Sequence, residues 1–404
     1  MKWKGVYVSI TFVIMFLMCF FVRQVYSGEI RGVSEETIKI GIMFSQTGAV
    51  ASSGIPYTTA ARNYFRYINE AGGIHGRKIK TIVEDDRYSI PLAFAAFKKL
   101  VYRDKVLALM ALGGTGPMYA LYESIQKDKM PSLGAGLPES CVKPHKRYVF
   151  IPGGTYREMM EVLCDYIMND LPVKKPRIAV VVPDHEAGHQ DFKSFVERLE
   201  QYGIKIADKE ILNFGAMEAT TQVLSIKKAN VDYVVMGGSI VQNCTVLLRG
   251  MRKFGVSVPV FGSWATCSED LVEVSGEAAK NYSGVNKFAS WYEDTPGVKL
   301  MREITKKYKT GEKKLFRSRL YTQGWLSAMI YAESMKRAGR DLDGETLVNT
   351  LEALRNFESG DLTAPITYGK NDHSGNRSWK VYKANVEKKI LEPVTDWRDP
   401  KQLK

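Results

Sequence analysis

The sequence has few of the side chains that usually build a metal or redox centre. Its five cysteines include no CxxC pair, and its five histidines lie in predicted loops without an HExxH context. These absences argue against a zinc site and a thioredoxin-like site. We therefore predict no metal and no cofactor, and we expect the histidines to be surface loop residues. They are His75, His145, His185, His189 and His373.

Motifs for nucleotide binding and covalent catalysis are missing as well. The segment GGTGP at 113–117 is not GxGxxG, no strand is followed by GxxxxGK[ST], and there is no GxSxG elbow. Glu84, Asp85 and Asp86 end a predicted strand, where we expect a capping or hinge-side role in place of a catalytic pair. Because nothing assembles an active site, the sequence indicates a protein that is not an enzyme.

A single apolar run is long enough to cross a bilayer. Residues 5–22 are almost entirely apolar and follow two lysines, which is the pattern of a signal peptide. We predict that residues 1–27 are cleaved off after Ser27 and that the mature chain is periplasmic. Cys19 is not expected to carry a lipid, because the bulky Met18 precedes it. The remaining chain is long enough for two domains.

Net charge and the remaining cysteines leave alternatives open. The formal charge of +13 fits an anionic ligand, an acidic surface, nucleic acid or only a solvated basic exterior. Export makes nucleic acid an unexpected partner. An exported chain can form disulfides, and Cys244 and Cys267 each follow a predicted strand, so their pairing stays open.

Two series of alternating strands and helices follow one another along the chain. Such alternation predicts parallel sheets whose ligand-binding loops lie at the carboxyl ends of the strands. The predicted strands lie near 37–44, 78–86 and 106–112 in the first series, and near 177–184, 204–212, 231–238 and 258–264 in the second. We place crossings between the two units at 148–155 and 281–288, and a β-hairpin over 366–384 with its turn at 371–376.

The loops after the strands are rich in hydroxyl groups and glycine. Ser45, Thr47, Ser52 and Ser53 follow the first strand, and Thr115 follows the third. Hydroxyls and free backbone amides beside helix N-termini suit an anion such as a carboxylate. Taken singly, each of these residues is equally well explained as an N-cap or a turn residue.

Several blocks of the sequence, in this order, resemble the type I periplasmic binding proteins of the branched-chain amino acid ABC transporter family, the leucine-binding-protein-like class. They are IKIGIMFSQTG at 38–48, INEAGGIHGRKIKTIVEDD at 68–86, GGTGP at 113–117, GAGLPES at 134–140, PDHEAGHQ at 183–190 and VVMGGSIVQNC at 234–244. The similarity runs from residue 38 to the C-terminus, and the AGGIHGRKI block is highly specific.

The resemblance implies an α/β fold of two lobes, each a parallel-sheet Rossmann-like sandwich, joined by three hinge crossings and closing on a ligand. It places lobe 1 at 34–153 and 287–362, and lobe 2 at 154–286 and 363–404. It further implies the extracytoplasmic solute-binding component of an ABC importer. We expect a monomer whose partners are a small molecule and an ABC permease with two membrane subunits and ATPases.

The resemblance also assigns ligand contacts. In the family, the loops equivalent to GGTGP and GAGLPES bind the ligand carboxylate, which carries Gly114, Thr115 and Ala135 over to this chain. Amino-acid binders have an acidic residue for the ammonium group where this chain has Ser263 and Trp264. The complete set of predicted contacts is Ser45, Thr47, Ser53, Gly114, Thr115, Ala135, Gly136, Ala187, Ser239 and Trp264.

The departures from the family pattern favour a small organic or aromatic acid over an amino acid. Burying an ammonium group without a counter-charge costs several kcal/mol, and an indole at the cavity floor suits a flat apolar body. An amino acid stays open if Asp184 or Glu186 supplies the counter-charge, and Trp264 is also explained as packing between the lobes. A ligand-sensing receptor module of the same fold is the alternative function, although the chain stops soon after its last predicted hairpin.

Overall fold

The computed structural model describes residues 30–48, 50–310 and 314–403. The predicted signal peptide at 1–27 lies outside these ranges. Within them, no helix combines the length and the apolar character that a membrane span requires. The described part of the chain is an α/β fold with eleven α-helices and twelve β-strands arranged in two sheets.

The first sheet has five parallel strands in the order β2-β1-β3-β4-β5. Their bounds are β1 Thr37–Met43, β2 Lys78–Glu84, β3 Ala108–Ala111, β4 Ser132–Gly134 and β5 Val149–Phe150. Helices α1 Ala51–Glu70, α2 Ile90–Lys98 and α3 Thr115–Lys127 connect the first four of these strands. Every residue of β3 is buried, so the strand reads as a continuous apolar run and not as an alternating one.

Three later helices return to the first sheet. They are α9 Pro296–Lys307, α10 Arg319–Ala338 and α11 Gly344–Glu352, and α10 packs along α1. A side chain at Gly324 on α10 would place its Cβ 2.1 Å from the carbonyl oxygen of Tyr57 on α1. The two helices therefore approach this closely only because residue 324 is glycine. The Tyr331 hydroxyl then donates to the Leu109 carbonyl at 2.8 Å, which fixes α10 on β3.

The second sheet has seven strands in the order β12-β11-β10-β9-β8-β6-β7. The strands are β6 Ile178–Val182, β7 Asp208–Ile211, β8 Tyr233–Met236, β9 Val260–Gly262, β10 Tyr282–Asn286, β11 Lys380–Asn385 and β12 Ile390–Pro393. The first five of these are parallel, and the last two add antiparallel. The accompanying helices are α4 Tyr156–Asp170, α5 Glu186–Gln201, α6 Thr220–Ala229, α7 Val241–Lys253 and α8 Glu269–Ser275.

The chain passes between the sheets three times, after β5, after β10 and before β11. The three passages meet around one buried lysine. Lys287, in the second passage, donates its Nζ to the carbonyl of Gly154 in the first at 3.3 Å. The same nitrogen lies 5.5 Å from the ring centroid of Trp379 in the third. Any hinge movement between the two sheets would act on this cluster.

The prediction of a β-hairpin over 366–384 is wrong, because its second strand pairs with a later strand and not with the segment before it. Strand β11 does exist, but its hairpin partner is β12, with Asn385 opposite Ile390, so the turn lies at 386–389. The preceding segment is bonded to the end of the first sheet, because the Tyr368 hydroxyl donates to the Ile151 carbonyl and the Ile151 amide donates to His373. Glycine and asparagine at 371–376 therefore shape a crossing and not a hairpin turn.

One further expectation needs correction, and the open question of a disulfide is answered. His373 is fully buried, although all histidines were expected on the surface. The four cysteines in the described part of the chain are free and buried, so Cys244 and Cys267 form no disulfide. Both belong to the same buried core as Tyr282, and burial raises the pKa of each thiol.

Candidate ligand-binding site

A cavity of about 130 Å³ lies between the carboxyl ends of the two sheets. The first sheet contributes residues that follow each of its five strands, and the second contributes residues that follow β6, β7, β8 and β9. A larger cavity of about 560 Å³ adjoins it and shares five lining residues with it, Ser53, Ile240, Trp264, Ala265 and Leu320. The placement follows the rule that open α/β sheets bind ligands at the carboxyl ends of their strands.

Eight of the ten predicted contact residues line the smaller cavity: Ser53, Gly114, Thr115, Ala135, Gly136, Ala187, Ser239 and Trp264. Ser45 and Thr47 do not. Their hydroxyls bond the carboxylates of Asp86 at 2.7 Å and Asp85 at 2.6 Å. Because β1 and β2 are parallel neighbours, the loops that follow them meet, and the acidic cluster after β2 holds the first loop in place.

The wall from the first sheet is built around the start of α3. Gly114 precedes the helix with a φ of +86°, and a Cβ there would lie 3.2 Å from the ring of Tyr88. The Thr115 hydroxyl lies 2.7 Å from the hydroxyl of Tyr156, and both residues are buried. Burial raises the pKa of Tyr156, so this phenol stays protonated at neutral pH. A helix N-terminus and two hydroxyls thus face the cavity at one end.

The wall from the second sheet contains a buried carboxyl group that the sequence analysis missed. Asp191 on α5 is 2% exposed, and its Oδ2 accepts the amide of Gly238 at 2.6 Å. Its Oδ1 has no hydrogen-bond partner among the described residues, and neither does the Oγ of Ser239. The Ser263 hydroxyl lies beside the carboxyl without a well-formed hydrogen bond. Burial raises the pKa of Asp191 to about 7.

Asp184 and Glu186 do not supply a counter-charge to this cavity. Asp184 bonds His189 at 2.8 Å, Glu186 bonds Gln190 at 2.9 Å, and neither carboxylate lines the cavity. Asp191, and not Asp184 or Glu186, is the carboxyl group that could serve as the counter-charge. The argument that an ammonium group would lack a buried counter-charge therefore does not hold for this cavity.

Aromatic and aliphatic side chains form most of the remaining lining, among them Phe44, Tyr88, Phe214, Ile240, Trp264 and Leu320. Trp264 lies on both cavities, and its loop is fixed because Asn286 donates to the Trp264 carbonyl at 3.0 Å. Phe214 packs against the ring of His185 with 4.6 Å between centroids. A mostly apolar lining with a few convergent polar groups is typical of small-molecule sites.

Residues 37–389 match the sequence profile of the family described as periplasmic binding protein. The chain belongs to the periplasmic binding protein family. This binding protein is 24% identical over 331 residues to the Leu/Ile/Val/Thr-binding protein of Salmonella typhimurium, covering 81% of this chain and 89% of the relative. It is 24% identical over 323 residues to the leucine-, isoleucine-, valine-, threonine-, and alanine-binding protein of Pseudomonas aeruginosa, with 80% and 83% covered.

Solved structures agree with this fold. A branched chain amino acid ABC transporter protein from Thermus thermophilus with bound valine superimposes with a TM-score of 0.83 at 24% identity, covering 91% of this chain and 97% of that one. A fatty acid ABC transporter substrate-binding protein from Thermomonospora curvata gives 0.81 at 22% identity, covering 93% and 95%. These similar proteins are solute-binding proteins and not enzymes, as predicted for this binding protein.

Proposed function

We propose that this protein is the extracytoplasmic solute-binding component of an ABC importer and binds a small carboxylate-bearing ligand between its two sheets. The observation that carries the proposal is the cavity itself, which both sheets line with polar groups at the carboxyl ends of their strands, and where the second sheet leaves Oδ1 of Asp191 and Oγ of Ser239 unpaired. The partner of the loaded protein would be an ABC permease, and the protein would act as a monomer.

The ligand carboxylate belongs at the start of α3. That helix is thirteen residues long, and a helix N-terminus attracts anions through its free amides and its dipole. The Thr115 hydroxyl and the backbone around Gly114, Ala135 and Gly136 line this end of the cavity. The ligand body would then extend toward Trp264 and the larger cavity beyond it.

Two ligand classes follow from two different observations. The indole of Trp264 and the apolar lining support a small organic or aromatic acid without an amine. The free Oδ1 of Asp191 supports an amino acid, because it offers a buried partner for an ammonium group. Asp191 with a pKa of about 7 suits both classes, since it donates a hydrogen bond when protonated and neutralises an ammonium group when ionised.

Binding would act through closure of two lobes, which we place at 34–153 with 287–362 and at 154–286 with 363–404. The meeting of the three passages at Lys287 supports a common hinge, because a hinge is formed by a few residues between rigid bodies. Closure would cover the cavity and desolvate the carboxylate, which strengthens its contacts with the helix N-terminus.

A ligand screen followed by scattering tests the proposal. The mature protein is heated with amino acids, aromatic acids, aliphatic acids and amides in turn, since a ligand that binds the folded state raises the melting temperature. The best ligand is then added at saturation while the radius of gyration is measured by X-ray scattering. We expect a smaller radius with ligand. Failure of every carboxylate to stabilise the protein, or an unchanged radius, would contradict the proposal.

A further inference from the structure

A second group of polar side chains lies outside the ligand cavity, at the far end of the first sheet. The ligand atoms of His145, Glu352 and His373 all lie within 4.8 Å of one another. They come from three separate segments: the loop before β5, the last residue of α11 and the third passage between the sheets. None of them lines either cavity at the carboxyl ends of the sheets.

The position of His373 is fixed by its surroundings. The ring is fully buried and stacks on Phe150 with 3.7 Å between centroids. Its Nδ1 lies 3.0 Å from the carbonyl oxygen of Val149. A carbonyl oxygen can only accept a hydrogen bond, so Nδ1 carries the proton and Nε2 presents a lone pair.

The Nε2 lone pair faces the carboxylate of Glu352, which has no proton to donate to it. Nε2 of His373 lies 3.4 Å from Oε1 of Glu352, which is itself 4% exposed, and Nε2 has no hydrogen-bond partner in the described part of the chain. Two acceptors facing each other are unfavourable unless a cation lies between them.

We propose that His145, Glu352 and His373 bind a divalent transition-metal ion, with Zn²⁺ as the best match. Two imidazole nitrogens and one carboxylate oxygen form a ligand set that Zn²⁺ commonly uses, with water in the fourth position. His145 is exposed, so the ion can enter from solvent. This proposal revises the prediction that the chain holds no metal.

The outer contacts of the three side chains fit those of a metal site. A metal-bound histidine usually donates its other ring nitrogen to a carbonyl or carboxylate, as His373 does to Val149. Glu352 accepts from Nη1 of Arg147 at 2.7 Å, and Nη2 of Arg147 is held by Asn349 at 2.8 Å. Arg147 therefore orients the carboxylate, and a bound ion would share Glu352 with it.

Metal binding here would tie the third passage to the first sheet. His373 already receives the Ile151 amide on its backbone carbonyl at 3.0 Å, and the ion would add a side-chain link to α11 and to the loop at residue 145. The expected effect is a more stable protein, because an ion that binds only the folded state shifts the unfolding equilibrium.

The test uses the mature protein without any histidine tag, treated with a chelator and then dialysed. Zn²⁺ is titrated by calorimetry and added in melting experiments, with Mg²⁺ as the control ion. The wild type should bind one equivalent of Zn²⁺ and melt at a higher temperature. Because His145 is exposed, His145→Gln should fold normally and bind Zn²⁺ at least about tenfold more weakly.

Two further proteins make the result specific. His75→Gln alters an exposed histidine that is not a member of the group and should bind Zn²⁺ like the wild type. The absorption spectrum of the Co²⁺-loaded wild type should change in His145→Gln and in Glu352→Gln but not in His75→Gln. Equal Zn²⁺ affinity in the wild type and His145→Gln would overturn the proposal, and so would a Co²⁺ spectrum that is unchanged in both His145→Gln and Glu352→Gln. Neither outcome bears on ligand binding in the cavity.

Discussion

The hydroxyl oxygens of Thr115 and Tyr156 lie 2.7 Å apart and join the first residue of α3 to the first residue of α4. The contact therefore links the first sheet to the segment that follows the first passage. It also means that the ligand carboxylate we place here meets two hydroxyls that are already oriented.

Replacing Thr115 by valine removes one of these hydroxyls at nearly constant volume. We expect ligand binding to weaken by about 1 to 3 kcal/mol, because the carboxylate and the Tyr156 hydroxyl each lose a polar partner. Calorimetry with the best ligand from the screen measures the change. Thr115→Ser keeps the hydroxyl and should bind almost like the wild type, whereas equal affinity for Thr115→Val would leave Thr115 only a structural role.

Asp191 should make the stability of the ligand-free protein depend on pH. Burial raises its folded pKa to about 7, above the ordinary value of about 3.9. The folded state therefore holds this proton more tightly than the unfolded state, and the resulting stability is present below about pH 4 and lost as pH rises to about 7. Urea denaturation between about pH 4 and pH 7 should show that the free energy of unfolding falls with pH in the wild type but not in Asp191→Asn. The exposed Asp184→Asn serves as the matched control.

The pH dependence of binding separates the two ligand classes. A ligand with an ammonium group favours ionised Asp191, so its affinity should rise as pH increases through about 7. An acid without an amine favours protonated Asp191, so its affinity should fall as pH increases through about 7. Calorimetry at several pH values measures both trends, and Asp191→Asn should flatten them. A steep trend that survives in Asp191→Asn would assign the titration to another group.

Trp264 tests the preference for an organic acid directly. Below about pH 7, where Asp191 is protonated and supplies no counter-charge, an acid without an amine should bind better than its α-amino counterpart by about 1.4 kcal/mol or more, which is tenfold in affinity. Trp264→Glu adds a charge and removes the ring, so it should narrow or reverse the preference. Measuring both ligands on both proteins separates charge matching from packing. Tight binding of leucine or phenylalanine with no binding of the des-amino acids would leave Asp191 as the counter-charge.

The buried Lys287 should lower the free energy of unfolding at neutral pH. Burial lowers its pKa well below 10.5, so the unfolded state holds the proton more tightly and stability rises with pH toward that value. Lys287→Met keeps most of the side-chain length and removes the charge, and we expect it to be more stable by about 1 to 4 kcal/mol at pH 7. The difference in stability between Lys287→Met and the wild type should become smaller near pH 10.5. The exposed Lys383→Met should change little, and a clear loss in Lys287→Met would show that the ammonium group holds the three passages together.

The alternation of strands and helices could be predicted because it depends on local periodicity. The strand positions and both predicted crossings follow from apolar runs and glycine-rich loops that each lie within a short stretch of sequence. The same rule located Thr115 after a strand, and the family resemblance added Gly114 and Ala135; the structure places all three on the cavity. The hairpin over 366–384 failed because turn residues do not reveal which strand their neighbours bond.

Tertiary packing alone decided which polar groups were buried. Asp191 follows the buried spacing of α5 together with Ser194, Phe195 and Arg198, so a carboxyl group on the inner face of that helix was the only signal available. No signal in the sequence indicated that His373 is buried beside Glu352. Sequence periodicity determines which face of an element is apolar, but the protonation and partners of a polar side chain depend on the surface that another part of the chain lays against it.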